Sequence, residues 1–481
     1  MRHHPQAATS LAVGNRLTRN GEEHVVSSLP IGRDKALGSC GFSGAVDSPV
    51  QPIHSVGGKF LLAAEGQLRG VACAAPALSE PLSAWSSVYD ATFLFDDAVT
   101  ANDDADVVRL SGAMTRLRGS FALGLLDGRR ITVARDVLGV EPLYWGENER
   151  YAGFASERKA LWSLGVTAVT AVPPGHVAVI TSKARRLRRV GALQRPPIVD
   201  ISLGDAAQAL KALLHRIVKM SLVGVGAVGV FFSGGVDSAL VAKSVIDHGV
   251  TPVLYAAGFE GSHDVEVARQ AADELNCPLH EAVLSFGEAE HYVRKVIYAV
   301  ESEDFLTVSI GLPLYVAAEA AEKDGVGRVF AGQGADELFG GYARYSRVLQ
   351  QEGAAALADA LWADVVHLAD RNLQRDKGVA LATNIDLVLP FVDLEVIHLA
   401  SSFPPHLKVA SSQDTLRKPV LRAAARLFGL SENITRRPKK AMQYGSGAHK
   451  AIHRLAARSS YRRPRDYVAS LFREVFPDSL G

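Results

Sequence analysis

Up to about Ile180 the chain alternates short apolar runs with turn residues, as in KFLLAAEGQLRG, GSFALGLLDGRRITVARDVLG and the aromatic-rich EPLYWGENERYAGFASE. Short runs bounded by Gly, Asp and Asn predict strands joined as hairpins. Beyond residue 203 the pattern changes. VGVGAVGVFF leads into a glycine turn and the helical DSALVAKSVIDHG, TPVLYAAGF leads into DVEVARQAADELN, and GRVFAGQG leads into another turn. Repeated strand–helix units predict a mostly parallel sheet covered by helices on both faces. The stretch Leu222–Phe232 reads as a buried strand. From Glu352 to the end the chain is alanine-rich and predicted helical, packing as a bundle against that sheet.

The change of pattern follows a basic run, Lys183, Arg185, Arg186, Arg188 and Arg189, and coincides with the pair Pro196 and Pro197. Domains are therefore expected at 1–190 and 204–481, with a linker at 191–203. With 481 residues and 48% hydrophobic content the chain exceeds what one core usually holds. Lys plus Arg number 52 against 51 Asp plus Glu, a net charge of +1, so no global field is available to hold nucleic acid or an acidic membrane. The basic run lacks interleaved aromatics and reads as solvated surface. Any anion site must be local. Cys40, Cys73 and Cys277 are too few and too scattered for a disulfide framework or a zinc cluster, which fits a reducing, cytoplasmic setting. The N-terminal MRHHPQAATSLAVGN has no signal-peptide core, and Leu222–Phe232, about 11 residues, falls short of the roughly 20 needed to span a bilayer. No nucleic-acid or membrane partner is expected.

The local anion site is predicted at FFSGGVDS, Phe231–Ser238. Gly234 and Gly235 allow a tight turn that aims backbone N–H groups at an oxyanion, and the following helix N-terminus adds partial positive charge. Ser233 and Ser238 add hydroxyls. Asp237 beside phosphates makes sense with a bridging Mg²⁺. The string lacks the lysine of a G-x-x-x-x-G-K-[ST] loop; it resembles instead the PP-loop of ATP pyrophosphatases. A second turn, AGQGADELFGGYARY, follows the short apolar GRVF, and Asp336 in it could reach the same metal from a neighbouring strand end.

With these strings in hand, the chain resembles the asparagine synthetase family, including the β-lactam synthetases, over nearly its whole length. The matching strings are SGGVDS, GADELFGGY, NLQRD (372–376), LPFVD (389–393) and RPKKAMQYGSG (437–447). RLRGSFAL, ARDVLGVEPLYWG and FASERKAL resemble the family's glutaminase domain. The C-terminal strings look closest to archaeal asparagine synthetase-related proteins and the eukaryotic asparagine synthetase domain-containing protein. The resemblance implies an α+β, Ntn-type glutaminase-like sandwich followed by an α/β PP-loop ATP pyrophosphatase domain with a helical C-terminal part. It implies ATP-dependent amide formation through an acyl-adenylate, with ATP and Mg²⁺ as cofactors and AMP and pyrophosphate as products. Ser233, Gly234, Gly235, Asp237, Ser238 and Gly332 would then hold the nucleotide, and Asp237 and Asp336 the metal. Lys439 falls at the catalytic lysine, where an ammonium would stabilise charge on the collapsing adenylate; Lys440 is the alternative one residue on. Gln333 takes the second catalytic position. The partners would be a small carboxylate and an amine or ammonia donor, and a homodimer is compatible with this reading.

Four departures modify the expectation. Met1 is followed by Arg2, where glutamine-using members carry a nucleophilic cysteine. Glu65-Gly66-Gln67 stands for the family's N-G-E, placing a carboxylate where an oxyanion would develop. Glutaminase activity is therefore expected to be lost. Gln333 replaces an acidic residue and cannot accept a proton at neutral pH. Leu306 and Ser309 replace the threonine and arginine that bind the substrate, which removes the bidentate carboxylate partner. Two rivals remain open: a β-lactam synthetase-like ligase closing an internal amide, and a nucleotide-binding regulatory or scaffold protein without turnover.

Overall fold

The computed structural model describes residues 27–30, 36–39, 53–54, 61–71, 112, 117–126, 130–148, 152–181, 185–438 and 442–477. The chain divides into two compact units, residues 1–193 with 476–481, and 194–475.

In the first unit the strands β1 (Ser27–Pro30) and β2 (Ala36–Ser39) form a hairpin. A six-stranded antiparallel sheet uses β3 (Ile53–His54), β4 (Leu61–Val71), β5 (Leu117–Leu126), β6 (Arg130–Arg135), β10 (His176–Thr181) and β11 (Arg185–Arg189), in the order 11-10-6-5-4-3. A smaller antiparallel sheet holds β7 (Tyr144–Glu147), β8 (Ala152–Ala155) and β9 (Val169–Ala171). The inward residues Ala122, Ile131, Val133, Ala178 and Ile180 of the large sheet pack with Ala152 and Phe154 of the small one in one apolar cluster. Gly124 is required there, because a Cβ would lie 1.9 Å from the Phe154 ring. Arg185, Arg186, Arg188 and Arg189 of the basic run lie on an edge strand, β11, exposed at every residue. A row of arginines keeps such an edge from pairing further.

The second unit is built on a five-stranded parallel sheet: β12 (Val228–Phe231), β13 (Val253–Phe259), β14 (Leu279–Leu284), β15 (Arg328–Phe330) and β16 (Asp386–Val388), in the order 14-13-12-15-16. The chain leaves β12 toward β13 and β14, then returns to β15 on the other side. The carboxyl ends of β12 and β15 therefore mark the switch point where open α/β sheets form a crevice. The helices used below are α1 (Leu203–Ser221), α2 (Val236–Ile246), α3 (His263–Leu275), α4 (Ala289–Val300), α5 (Phe305–Lys323), α6 (Ala335–Phe339) and α7 (Gln374–Ala382).

Two expectations need correction. Of Leu222–Phe232 only Val228–Phe231 is strand; residues 222–227 are the turn after α1, with Gly224 at φ +70° and Val223 exposed. Glycine-rich apolar sequence does not by itself distinguish strand from turn. The C-terminal third is not wholly helical either, because β16 adds the fifth strand beside β15. Its three residues are too few to show a period. Among the described residues α5 has the length and hydropathy of a membrane span, but 72% of that window is buried inside the unit.

Candidate active site

The turn after β12 follows the predicted geometry. Phe232 N–H donates to the Tyr255 carbonyl at 2.8 Å, extending the sheet by one residue before the chain turns. Gly234 has φ +66°, and a Cβ there would lie 2.6 Å from the Val267 carbonyl of α3, so only glycine fits. Gly235 is the N-cap of α2, with Val236, Asp237 and Ser238 in the first turn. Ser238 Oγ accepts from Ser233 N–H at 3.3 Å and donates to the Gly235 carbonyl at 3.2 Å, which pins the turn internally.

The turn after β15 closes on this one. A Cβ on Gly332 would stand 3.0 Å from the Asp237 Cβ and from the Ser238 nitrogen, so Gly332 lets the two strand ends meet. Asp336 lies in the first turn of α6. Between Asp336 and Asp237 stands Lys418, a residue the sequence reading did not single out. Its ammonium is 2.8 and 2.7 Å from the two Asp237 oxygens and 2.6 Å from Asp336 Oδ1, with the lysine side chain 1% exposed. Arg417 and Lys418 both adopt positive φ, +51° and +57°, on a turn whose Leu416 and Arg417 amides donate to Asp414 Oδ1. That left-handed pair delivers Lys418 to the carboxylates before Pro419 opens the next helix. Gly341 is needed as well: a Cβ there would lie 1.8 Å from Asp336 Oδ1 and 2.4 Å from Lys418 Cε. The only sequence signal was a basic pair ahead of a proline.

Asp237, Asp336, Ser233, Ser238, Gly332 and Gln333 share the wall of a cavity of about 370 Å³. An apolar side is formed by Phe232, Tyr255, Ile310, Pro313 and Leu314, and the basic groups on the wall are Arg375 and Arg417. This volume and mix suit a small-molecule pocket. Leu306 is 49% exposed, and Ser309 is fully buried with its hydroxyl bonded to the Phe305 carbonyl at 2.7 Å; neither lines the cavity. Arg375 binds the buried Asp376 at 2.8 Å, and Arg417 Nε donates to the Gly341 carbonyl at 2.8 Å. Burial pushes the carboxyls of Glu337 and Asp376 above the usual range.

Lys439 and Lys440 lie outside the described residues. The described end of their segment reaches the phosphate turn: Arg437 Nη1 donates to the Gly234 carbonyl and, at 3.4 Å, to that of Val267. Burial lowers the pKa of the Arg437 guanidinium. Met442, on the other side of the lysines, lines the cavity. In the first unit Met1, Arg2, Cys40 and Cys73 also lie outside the described residues, and Glu65 is placed by its backbone alone, opposite Ala122 across β4 and β5. Cys277 belongs to the second unit, where burial raises its thiol and Sγ donates to the Leu275 carbonyl.

The two aspartates meet one test for Mg²⁺. Both converge on a single cation, Lys418, so their oxygens lie within reach of a shared positive centre, and carboxylate oxygen is the donor this ion prefers. Among the described residues no set of three or more His, Cys, Asp or Glu forms a ready metal cage.

A family profile described as asparagine synthase matches residues 209–475, and one described as a glutamine amidotransferase domain matches 44–163. The chain is 32% identical over 427 residues to a putative glutamine-hydrolyzing asparagine synthetase 1 of Methanocaldococcus jannaschii, covering 78% of this chain and 79% of that one. It is 30% identical over 327 residues to asparagine synthetase 3 of Arabidopsis thaliana and 31% over 329 residues to asparagine synthetase 2 of Oryza sativa subsp. japonica. These two alignments take in 64% of this chain and 55% and 54% of the plant proteins, so the matched region spans about half the length of each.

Proposed function

The chain belongs to the asparagine synthase family and is a carbon–nitrogen ligase of the PP-loop type, and from that premise we propose that it amidates aspartate or a related small carboxylate. ATP converts the carboxylate to an acyl-adenylate, ammonia attacks, and AMP and pyrophosphate leave. Residues 204–481 carry this chemistry in the cytoplasm, while residues 1–190 are a glutaminase-like domain that no longer hydrolyses glutamine. The observation that carries the reading is the convergence of Asp237 and Asp336 on one cation beside the glycine turn of a small-molecule cavity.

Ser233, Gly234, Gly235 and Ser238 cradle pyrophosphate, and Gly332 gives it close access. Asp237 and Asp336 hold Mg²⁺, whose chemistry when bound is to neutralise phosphate charge. Lys418 fixes the spacing of the two carboxylates. Lys439 stabilises the adenylate transition state. Glu65, standing where the resemblance places an asparagine, supports the loss of glutamine use. The apolar side of the cavity, together with the absence of Leu306 and Ser309 from its wall, favours a carboxylate bulkier or less polar than aspartate as the second reading.

Pyrophosphate release from ATP, measured across a panel of amino acids and short dicarboxylates with and without ammonium, tests this. Carboxylate-dependent release that rises with ammonium is expected, and no glutamate should form from glutamine. The site assignment fails if Asp237→Asn and Lys439→Ala both leave aspartate-dependent release unchanged. Tight ATP binding with no release for any carboxylate would mark a regulatory protein instead.

A further inference from the structure

The two arginines on the cavity wall differ in what balances them. Arg375 lies on α7 and gives Nε and Nη2 to Oδ1 of the fully buried Asp376, both at 2.8 Å. Gly378 of the same helix packs so closely on α4 that a Cβ would lie 2.6 Å from the Ala299 carbonyl, so Arg375 belongs to a rigid, charge-paired framework. Arg417 spends only Nε, and on a neutral group, the Gly341 carbonyl at 2.8 Å. Among the described residues no carboxylate pairs with its guanidinium, and Nη1 and Nη2 take no hydrogen bond. Both nitrogens keep accessible surface, and the residue borders the cavity. A guanidinium does not lose its proton in a protein, so this part of the wall presents an uncompensated positive charge and a pair of donors.

Arg417 is held there from three sides. Its amide donates to Asp414 Oδ1 at 2.9 Å, its carbonyl accepts from Nε of the buried Arg422 at 2.7 Å, and its side chain is anchored on Gly341. Its backbone sits at φ +51°, a conformation a non-glycine residue keeps only where the surroundings impose it, and such residues cluster at active sites. The anchor fixes which end of the cavity the guanidinium serves. Gly341 is the residue whose Cβ would lie 1.8 Å from Asp336 Oδ1 and 2.4 Å from Lys418 Cε, so Arg417 stands one residue's width from the carboxylates. With Asp237 and Asp336 set against Lys418, that end carries a net negative charge. A Mg²⁺ held by the aspartates offsets it with little to spare, whereas pyrophosphate is a polyanion, so further cations are required beside it.

We propose that Arg417 is a further catalytic residue, its two Nη nitrogens gripping the pyrophosphate as it leaves ATP. The inference rests on the ligase reading and adds a cation of this chain to its leaving-group site. In that step a carboxylate oxygen of the acyl substrate bonds to the α-phosphorus, the bond from that phosphorus to the bridging oxygen breaks, and its electron pair stays on pyrophosphate. No proton moves. Negative charge therefore grows on the leaving group as the bond stretches, and a fixed guanidinium stabilises that charge more than it stabilises bound ATP. The planar fork matches two phosphate oxygens at once, which a lysine ammonium does not. The sequence resemblance did not point to Arg417; it stands out through its left-handed turn and its anchor on Gly341.

Arg417→Gln removes the charge and keeps a donor for the Gly341 carbonyl; Arg417→Lys keeps the charge and removes the fork. With the full chain, Mg–ATP and the most active carboxylate of the panel, ATP–pyrophosphate exchange is measured against pyrophosphate concentration and against carboxylate concentration. The KM for pyrophosphate should rise about tenfold or more in Arg417→Gln, with the KM for the carboxylate within about twofold of the parent, and Arg417→Lys should fall between them. Calorimetric titration of Mg–pyrophosphate into the nucleotide-free chain reads the same contact without turnover, and its Kd should rise by a similar factor in Arg417→Gln. Arg417→Lys keeps the test open if Arg417→Gln prevents folding. An unchanged KM and Kd for pyrophosphate in the folded variants overturns the proposal. So does a rise confined to the KM of the carboxylate, which would make Arg417 the partner of the acyl substrate instead. If the parent shows no exchange with any carboxylate, the ligase reading fails, and the pyrophosphate titration still decides the subsite.

Discussion

Buried charge is used in opposite ways in the two units. In the first, Arg135 donates Nε, Nη2 and Nη1 to the carbonyls of Glu141, Gly139 and Val172 at 2.7, 2.7 and 2.9 Å, and Asp136 accepts the Leu138 and Gly139 amides at 2.8 Å. These two charges are satisfied by main-chain groups of the loop between β6 and β7, the residue after β9 and the Phe121 amide of β5. In the second unit Lys418, Asp237 and Asp336 come from three distant segments and are paired with one another beside a cavity. Charge spent on a loop's own backbone is framework, because no ligand can replace those partners without unfolding the loop. Charge balanced by other side chains at a cavity wall can exchange them for phosphate or metal.

The sharpest way to break that contrast is Lys418→Met. Removing the cation leaves two carboxylates facing each other, so pyrophosphate release should fall by about a hundredfold or more. The folded state should lose roughly 3–5 kcal/mol, the usual consequence of deleting one partner of a buried pair. Release assays and thermal denaturation check both. Loss of stability without loss of activity would place Lys418 with the framework charges.

Asp136 offers a smaller effect of a different kind. Burial pushes its carboxyl up to about 6. The folded state therefore holds that proton more tightly than the unfolded chain, and its contribution is fully present below about pH 4 and lost as the pH rises through 6. The change amounts to about 3 kcal/mol at most. Hydrogen exchange of the Gly139 amide across pH 4–7 should show protection falling as the pH rises, and Asp136→Asn should flatten the trend. A flat profile in the parent would remove the distinction from the ligand-facing carboxylates. The smallest effect is expected at β11, where Arg188→Ala on an edge exposed at every residue should change stability by less than about 0.5 kcal/mol and leave release untouched.

Much of the site was legible before any coordinates. Gly234, Gly235, Gly332 and the aspartates sit at strand-to-helix turns because glycine conformational freedom and apolar runs ahead of helices are local properties. Lys418 was not legible, since what makes it matter is a pair of positive-φ residues 181 positions from its carboxylate partner. Gln333 read as a loss of acid chemistry. In the folded chain it stands on the cavity wall directly after Gly332, beside the phosphate turn.

Local pattern by itself determined the hairpin-rich first half, the strand–helix second half and the glycine turns, because period, turn residues and backbone freedom are written into a few neighbouring positions. Tertiary structure alone decided that β16 completes the sheet and that Lys418 joins the two aspartates. Each of these depends on which distant segments the sheet order and the close glycine contacts bring together, and no short stretch of sequence carries that distance information.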